Sequence, residues 1–497
     1  MQYVSRFQQV FLGLLLGFLS VLSTSGTIGL RNVLHVAMLG MLLWCLVMAR
    51  ERLVLKPLVV ARAVPVSIFA WCTFLVLFPF WAEEPAVAWA NLRGQWGVMS
   101  LTWLLAWASV VVVGRERVSL WVLTITGAVP VFLHLLLVLL AWVGMLRPVF
   151  YGDPTLGTLW LSAKEIVTTP SLWKIDIQPF PLGFRGVEPL HFNIGHAANQ
   201  SMCLAVVCML QAKTEGRWRE MCNAGLVLMA CFLSVLIAGS RGSVLAGLML
   251  MPVAAVLYVL SVRWRGGGRT ISLQWRHGVY GGVAAIAALI LLTGLFFNTV
   301  RADERWHSMW DKMALGWMMD NPSQILCEGL SESDEALLQQ RYGERGQTYV
   351  QVLKEGLVGQ DGGRVLLMRA GFELALQHPM GLDGSRQAYQ KRIEQTCGHP
   401  PRLAFAHAHQ GWINLALALG WLGVGLFAWI LLSFTRKGWG MLGAEDTWPH
   451  GLALLLLSIF WLVRGMTDAI FQDHYMQMLA FTLLFIHLTG KKEGECL

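Results

Sequence analysis

The sequence predicts an all-α polytopic membrane protein with about twelve transmembrane helices and a large helical loop. Of its 497 residues, 56% are apolar and only 14% are charged, whereas soluble domains carry about 25% charged residues. Apolar runs alternate with short basic loops along nearly the whole chain, and one polar stretch, 298–408, interrupts them. We therefore expect any activity to be built from loops and helix ends rather than from a soluble catalytic domain.

Each apolar run of about 18 residues or more predicts a membrane-spanning helix. The predicted spans are 7–24, 32–49, 64–81, 97–113, 118–144, 195–212, 221–238, 244–262, 278–297, 409–432, 450–465 and 474–490. The first run resembles a signal peptide because the small residues 23–26 follow it. Its removal would leave an odd number of spans and upset the charge pattern, so we interpret it as a retained helix.

The distribution of basic residues predicts the orientation of the chain. Every second short loop holds two or more Lys or Arg residues, whereas the opposite short loops each hold one Arg: Arg31, Arg93, Arg241 and Arg464. By the positive-inside rule, both termini are cytoplasmic and the two long loops, 145–194 and 298–408, lie on the outer side. The same rule accounts for most of the net charge of +8, so no nucleic acid partner is expected.

We expect three parts along the chain. They are residues 1–297 with nine spans and the 145–194 loop, residues 298–408 as a large outer loop domain, and residues 409–497 with three spans. Apolar spacing in the large loop predicts amphipathic helices at 302–320 and 364–378. We expect a solvated helix at 331–345, which is acidic and then basic, and another short helix at 385–395. The helix at 302–320, which carries several Trp and Met residues, lies either on the bilayer surface or in the core of the loop.

The cysteines fall into two groups. Six of the nine lie inside predicted spans, where we expect small apolar core residues. Cys327 and Cys397 are the only two in the outer loops, and the outer side of a bacterial inner membrane permits disulfides. Because sequence does not fix the separation of these two residues, a bridge between them is left open.

Four arginines collect on the predicted outer side. Arg185 precedes the sixth span, Arg241 lies in the short turn 239–243, Arg364 begins the loop helix and Arg464 ends the eleventh span. A single Arg at a membrane edge is often only a snorkelling anchor. Several on one side, with few carboxylates close in sequence, indicate an anion site, because the planar guanidinium grips phosphate oxygens in pairs. A lipid-linked pyrophosphate is the natural ligand at this depth.

His407 and His409 are the candidate bases, because neutral imidazole can take a proton from a hydroxyl near pH 7. The alternative is that they cap the helix that re-enters the membrane. No metal site is expected, because residues two apart do not share a helix face and no HExxH or Cys/His framework lies nearby. His191 and His196, which flank the start of the sixth span, are weaker candidates, and His134 is predicted to be a hydrogen-bonded packing residue.

Other chemistries have less support. The outer carboxylates Glu188, Asp383, Asp468 and Asp473 show no spacing that marks a glycosidase pair. Asp468 is better interpreted as an i, i+4 ion pair with Arg464 at a helix end. The sequence contains no P-loop or Rossmann fingerprint, which argues against ATP or a nucleotide sugar as the direct substrate.

The segment from Ala406 to Leu415, followed by Leu419-Gly420-Trp421-Leu422-Gly423, resembles the O-antigen ligase/polymerase superfamily. The usual family form is His-Asn, then apolar residues, then Gly-x-x-Gly, and Gln410 stands here in place of the common Asn.

Three further segments are similar to family motifs. Arg364 with Pro379 and Gly381 looks like the Arg…His-Pro-x-x-Gly segment, although Met368 replaces the frequent Trp and Asp383 stands where a second Gly is common. The turn Ser240-Arg241-Gly242-Ser243 is similar to the Ser/Thr-Arg-Gly turn, and Phe184-Arg185-Gly186 loosely matches the Arg-bearing loop before the sixth span. Motifs cover about 180–430, and elsewhere the resemblance rests on topology.

The resemblance implies a GT-C-like, lipid-carrier glycosyltransferase at the periplasmic face of a Gram-negative inner membrane. Ligases of this family move O-antigen glycan from undecaprenyl pyrophosphate to lipid A–core, without nucleotide, metal or other cofactor. On this basis we assign His409 as the base, Arg241 and Arg364 as catalytic charges, and Arg185, His407, Arg464 and His191 as substrate-binding residues. Membrane lipids are the remaining partners.

Three alternatives stay open. A polymerase of the same superfamily joins repeat units on the same carrier, and a protein O-glycosylating ligase shares the motifs but acts on Ser or Thr. A polytopic transporter or flippase also suits twelve spans, but it would more often carry charges in mid-helix and show halves of similar pattern.

Overall fold

The computed structural model describes residues 6–22, 24, 27–48, 54–145, 177–184, 186–187, 190–191, 194–265, 294, 309–343, 345–358, 363–402, 405–471 and 473–490. Within these residues the protein is all-α apart from a two-residue antiparallel hairpin, β1 (Gly186–Val187) with β2 (Leu190–His191). The helices are α1 (Arg6–Val21), α2 (Ile28–Met48), α3 (Pro57–Arg62), α4 (Val66–Leu77), α5 (Pro85–Asn91), α6 (Gly97–Val113), α7 (Leu120–Trp142), α8 (Ile194–Thr214), α9 (Trp218–Ile237), α10 (Arg241–Trp264), α11 (Met309–Met318), α12 (Pro322–Glu328), α13 (Glu332–Tyr342), α14 (Arg345–Val358), α15 (Gly363–Gln377), α16 (Ala388–Cys397), α17 (Gly411–Met441), α18 (Trp448–Thr467) and α19 (Asp473–Thr489).

The apolar helices identify a multi-pass membrane protein. Seven helical segments among the described residues are long and apolar enough to cross a membrane: α2, α5 with α6, α7, α9, α10, α17 and α18. Three shorter apolar helices lie at 6–21, 66–80 and 475–489, and α8 coincides with the predicted sixth span. Only residue 294 of the predicted ninth span, 278–297, is among the described residues. The number twelve therefore stays a prediction.

The predicted tenth span is not one straight helix. α17 meets α18 at both ends, where Gly438 lies against Gly451 and Gly411 lies against Gly465. Between these contacts a straight α17 would run about 40 Å, whereas α18 runs only about 21 Å. The difference is accommodated by a break at Gly420, whose φ of 73° and ψ of 174° are not helical. The part of α17 before Gly420 is thus a separate short helix, which leads from the segment at 405–410 to the break.

A loop after α15 fills this break. The amides of Leu382 and Gly384 donate to the carbonyls of Leu417 and Ala418, at 2.8 and 2.9 Å, and Trp421 N donates to Pro379 O at 3.0 Å. The loop therefore satisfies backbone groups that the broken helix leaves without helical partners.

Gly381 of the loop faces Gly420 of the helix so closely that a Cβ on either residue would collide with backbone atoms of the other segment. Both glycines have positive φ, 82° and 73°, a conformation that costs glycine little. The Pro-x-Gly and Gly-x-x-Gly motifs are therefore two halves of one backbone contact.

The helices between 309 and 397 have their own apolar core, which continues into the re-entry segment through Ala408 and Ile413. Cys327 and Cys397, the pair that the sequence leaves open, form a disulfide with Cα atoms 5.3 Å apart. Three loop helices lie within a few residues of their predicted places: α13, α15 and α16. α14 is a helix that the sequence analysis missed, and α11 is shorter than the predicted helix at 302–320, whose first seven residues lie outside the described part.

The loop domain docks on the chain between α4 and α5. Glu83 N donates to Leu382 O at 2.8 Å, and the Glu83 carboxylate lies 3.1 Å from Arg392 Nη2. Lys391 Nζ lies 2.9 Å from the buried carboxylate of Asp383, which raises the pKa of the lysine through the hydrogen bond. These contacts hold α15 and α16, and with them Arg364, in place over the end of the helix bundle.

Candidate active site

The candidate site lies where the ends of four helices meet. α8, α10 and α17 begin here and α18 ends here. A Cβ on Gly195 at the start of α8 would collide with Ser243 Oγ of α10, and Asn199 Nδ2 donates to Ser243 O at 2.9 Å. Glycine at this position thus permits close packing of two helix N-termini, whose partial positive charges face the same region and favour an anion there.

The centre of the site is a group of three charged or polar side chains, of which Arg464 and His196 are buried and Asp468 is partly exposed. Arg464, on the last turn of α18, is 4% exposed, and its Nη2 lies 3.2 Å from Asp468 Oδ2. This confirms the predicted i, i+4 ion pair. His196 of α8 is 2% exposed, and its Nε2 lies 3.6 Å from the same oxygen. A buried Arg is costly unless it is paired, so the carboxylate is what allows Arg464 to remain here.

The electrostatics of Asp468 follow from these neighbours. Burial alone raises the pKa of a carboxyl group, but contacts with His196 and Arg464, the Ala469 amide and the charge of Arg364 together lower the pKa of Asp468 below its usual value. Asp468 is therefore ionised at neutral pH.

His407 and His409 lie on a strained loop at the start of α17. His409 has φ 54° and is the one residue other than glycine with positive φ among those the structure describes. Such strain costs about 1–3 kcal/mol and persists where the surroundings enforce it. His409 N donates to His407 Nδ1 at 3.3 Å, and the two rings meet at 83° with centroids 4.4 Å apart.

The residues after the two histidines hold this loop. Gln410 is the N-cap of α17, and its side-chain oxygen accepts the Ile413 amide. Asn414 Oδ1 accepts the amide of Ala408 at 2.9 Å. Helix capping is therefore done by Gln410 rather than by the histidines, so the alternative of two capping imidazoles is wrong.

Arg364 reaches the same region from the loop domain. It is exposed at the start of α15, which packs on the re-entry loop so closely that a Cβ on Gly371 would lie 2.8 Å from Ala408 Cβ. Burial lowers the pKa of His407, Asp468 opposes this shift, and the positive charge of Arg364 lowers the pKa further. His407 is therefore neutral at pH 7, and it lies within electrostatic reach of both Asp468 and Arg364.

The other predicted site residues have different outcomes. Arg241 is the first residue of α10 rather than part of a free turn, and the neighbouring Gly242 contacts Arg464. Arg185 lies outside the described residues, as does Glu188. His191 pairs through its backbone with Gly186 in the hairpin.

His134 has the packing role that the sequence predicts. Its Nδ1 lies 2.7 Å from Ser234 Oγ and its Nε2 lies 3.1 Å from Phe184 O. It therefore ties α7 to α9 and to the segment before the hairpin.

Sequence reasoning underrates two members of the site. From sequence, His196 is a weak candidate and Asp468 only an ion-pair partner, yet they share one contact across 272 positions of chain. Tyr475 of α19 packs beside this pair, with its ring 4.6 Å from that of His196. One signal in the sequence could have identified His196. It is the third residue of α8, in a helix start that is polar and shows no apolar spacing.

Within the described part of the chain, no group of three or more His, Cys, Asp or Glu side chains is placed to hold a metal ion. A family model described as O-antigen ligase matches residues 224–428, which include Arg241, Arg364 and the loop histidines His407 and His409. No curated protein matches the chain. Over this matched region, and with its membrane-spanning helices, the chain is similar to the O-antigen ligase family.

Proposed function

We propose that this protein transfers O-antigen polysaccharide from undecaprenyl pyrophosphate to lipid A–core at the periplasmic face of the inner membrane. The family supports a ligase or polymerase type of activity. The observation that carries the proposal is the meeting of the Arg464–Asp468–His196 group with the His407–His409 loop at the ends of four helices. Gly411, just after the loop, lies against Asp468 O, and the charge of Asp468 acts on His407.

The leaving diphosphate is the first task of such an enzyme. Negative charge grows on the phosphate oxygens as the glycosidic bond breaks, and fixed cations stabilise that charge without reorganisation. Arg464 and Arg364 supply cations from a membrane helix and from the loop domain, and Arg241 and Arg185 remain assigned to the same task. Three helix N-termini add partial positive charge at the same place.

The acceptor hydroxyl is the second task. His409 takes its proton as general base, and the hydroxyl oxygen attacks the anomeric carbon while the diphosphate leaves with the bonding electrons. The single displacement inverts the anomeric centre. His407 has the supporting role, because its Nδ1 accepts the His409 amide and its neutral state is favoured at pH 7.

A transporter is the less suitable alternative. The charged cluster lies at helix ends beside an extramembrane loop domain rather than in mid-helix, where transporters commonly hold their substrate. The polymerase and the protein-directed ligase use the same donor and the same site chemistry, so the products must separate them.

The test uses purified protein in detergent with carrier-linked glycan and lipid A–core, without ATP or metal. A ligase gives glycan joined to lipid A–core, which a shift in gel mobility and mass reports. Longer chains that remain on the carrier instead identify a polymerase. If neither product forms, while a ligase of that family is active in a parallel assay, the proposed transferase activity is refuted.

A further inference from the structure

We propose that His196 is a positioning residue that fixes the Asp468 carboxylate and, through it, the Arg464 guanidinium that binds the donor diphosphate. This inference rests on the proposed function, because it assigns a role within the donor site. It starts from an imidazole that is 2% exposed and whose Nε2 lies 3.6 Å from Asp468 Oδ2.

The charge balance of the cluster determines the state of His196. Arg464 already neutralises Asp468, with 3.2 Å between Nη2 and Oδ2. A protonated imidazole would add a second, uncompensated cation to a buried site, which is costly. His196 is therefore neutral, and the contact with Asp468 places its single N–H on Nε2. The other ring nitrogen, Nδ1, has no hydrogen-bond partner among the described residues. This fits the same tautomer, because a buried acceptor nitrogen without a partner costs less than a buried N–H without one.

Asp468 is held from three directions. Oδ1 accepts the Ala469 amide at 2.9 Å, and Oδ2 faces both Arg464 and His196. Without His196 only the arginine would define the position of Oδ2, and the two side chains could move together. His196 ties this pair to α8, which is itself fixed to α10 by the Asn199–Ser243 hydrogen bond of 2.9 Å.

The orientation of Arg464 is what this arrangement secures. Nη1 donates to Thr467 Oγ1 at 3.1 Å and Nη2 donates to Asp468, while Nε is buried without a hydrogen-bond partner in the described residues. A buried N–H without a partner is costly, and a phosphate oxygen would satisfy it. The 3.6 Å contact of His196 is longer than a direct hydrogen bond, and we expect it to shorten when the donor binds, as such contacts do in enzyme–substrate complexes.

A purely structural role for His196 predicts a different outcome. Its ring meets that of Tyr475 edge to face, with centroids 4.6 Å apart, so the imidazole also fills space between α8 and α19. Two substitutions separate these roles. His196→Gln keeps an N–H near the Nε2 position and loses the ring. His196→Phe keeps an aromatic ring against Tyr475 and loses the N–H.

The experiment measures kcat, the KM for carrier-linked glycan and the KM for lipid A–core on purified variants that retain the wild-type Tm. We expect His196→Phe to raise the donor KM about 10-fold or more, the effect of losing one hydrogen bond to a charged group, with the acceptor KM unchanged. His196→Gln should stay within about 3-fold of wild type. In Asp468→Asn protein, the added His196→Phe change should cost no more, because the partner is already lost.

The reverse order, with Phe tolerated and Gln defective, or an equal loss on the Asp468→Asn background, would overturn the positioning role while leaving the transferase intact. Failure of wild-type protein to transfer glycan would instead count against the proposed function. In that case the same variants are compared for binding of undecaprenyl pyrophosphate in detergent. Equal binding by wild type and His196→Phe then overturns the inference as well.

Discussion

Arg464 and Gly242 are in steric contact across the candidate site. A Cβ built on Gly242, the second residue of α10, would lie 2.5 Å from Nη1 of Arg464 at the end of α18. The guanidinium cannot move aside freely, because it is buried and paired with Asp468. The glycine of the Ser-Arg-Gly turn is therefore explained by the space that a buried guanidinium needs, and not by backbone conformation.

This contact makes Gly242→Ala a test of the site that changes no charge. The added methyl group should displace Arg464, and we expect kcat/KM for glycan transfer to fall about 10-fold or more, because bidentate phosphate contacts depend on guanidinium position. Gly225→Ala in α9 is the matched control and should leave transfer unchanged, because no neighbouring atom lies within 4 Å of the place its methyl group would take. Transfer by Gly242→Ala at the wild-type rate would show that Arg464 is not needed in its present position.

The two loop histidines should differ in their effect on catalysis. His409→Ala removes the proposed base, and we expect kcat to fall by about 10²–10⁴-fold, the usual contribution of a general base. His407→Gln keeps a polar acceptor for the His409 amide, so we expect a smaller loss. Single-turnover transfer rates with saturating donor and acceptor measure both. A larger loss for His407→Gln than for His409→Ala would exchange the two roles.

The pH dependence of transfer should report His407. Burial lowers the pKa of His407, Asp468 opposes this shift and Arg364 adds to it. The neutral form that accepts the His409 amide is thus fully present above pH 6.5 and persists below it, and it is lost as the pH falls through the lowered pKa. We therefore expect an acid limb of kcat/KM below pH 6.5.

Two variants should move this limb in opposite directions. Removal of the nearby positive charge in Arg364→Gln raises the pKa of His407, so the limb should shift to higher pH. Removal of the negative charge in Asp468→Asn lowers that pKa, so the limb should shift to lower pH. Both variants should transfer glycan more slowly than wild type, so the quantity to compare is the pH at the midpoint of the acid limb. Shifts in the same direction would exclude His407 as the titrating group.

The sequence predicts the fold class well because the thickness of the bilayer sets the minimum length of each apolar run. It also predicts that Arg464 pairs with Asp468, because a helix places residues four apart on one face. His196 could not be joined to this pair, since its contact with Asp468 depends on how α8 packs against α18. The break at Gly420 was likewise hidden, because glycine is common in membrane helices and the loop that fills the break lies far from it before folding.

The Gly420 break gives a prediction about stability. Gly420→Ala places a Cβ 2.5 Å from the backbone of Met380 at a residue with φ 73°, so neither the space nor the conformation accepts it. We expect a loss of several °C in Tm, in line with strain and overpacking costs of about 1–3 kcal/mol. Gly425→Ala, five residues along the same helix with nothing near its Cβ position, should keep the wild-type Tm or raise it slightly. Equal Tm values for the two variants would mean that the loop does not enter the helix break.

The disulfide connects the stability of the loop domain to the loop that carries His407 and His409. Cys327 and Cys397 close a segment with a sequence separation of 70 residues, and a closed loop of that length stabilises a fold by about 4 kcal/mol in the chain-entropy model. Just beyond Cys397, Arg402 N donates to Cys327 O at 3.3 Å, and Arg402 Nη1 donates to Glu328 O at 3.2 Å. The bridge thus fixes the chain a few residues before His407.

Replacing both bridge cysteines by Ser should therefore lower the thermal stability of the loop domain and reduce transfer more steeply with temperature than in wild type. Differential scanning fluorimetry and transfer rates from about 20 °C up to about 45 °C, the lower end of the usual Tm range of mesophile domains, measure the two effects. Cys222→Ser is the control, because Cys222 is a free, exposed thiol on α9. If reductant lowers the Tm of wild type but not that of the double variant, the bridge is the cause; equal sensitivity in both would place the effect elsewhere.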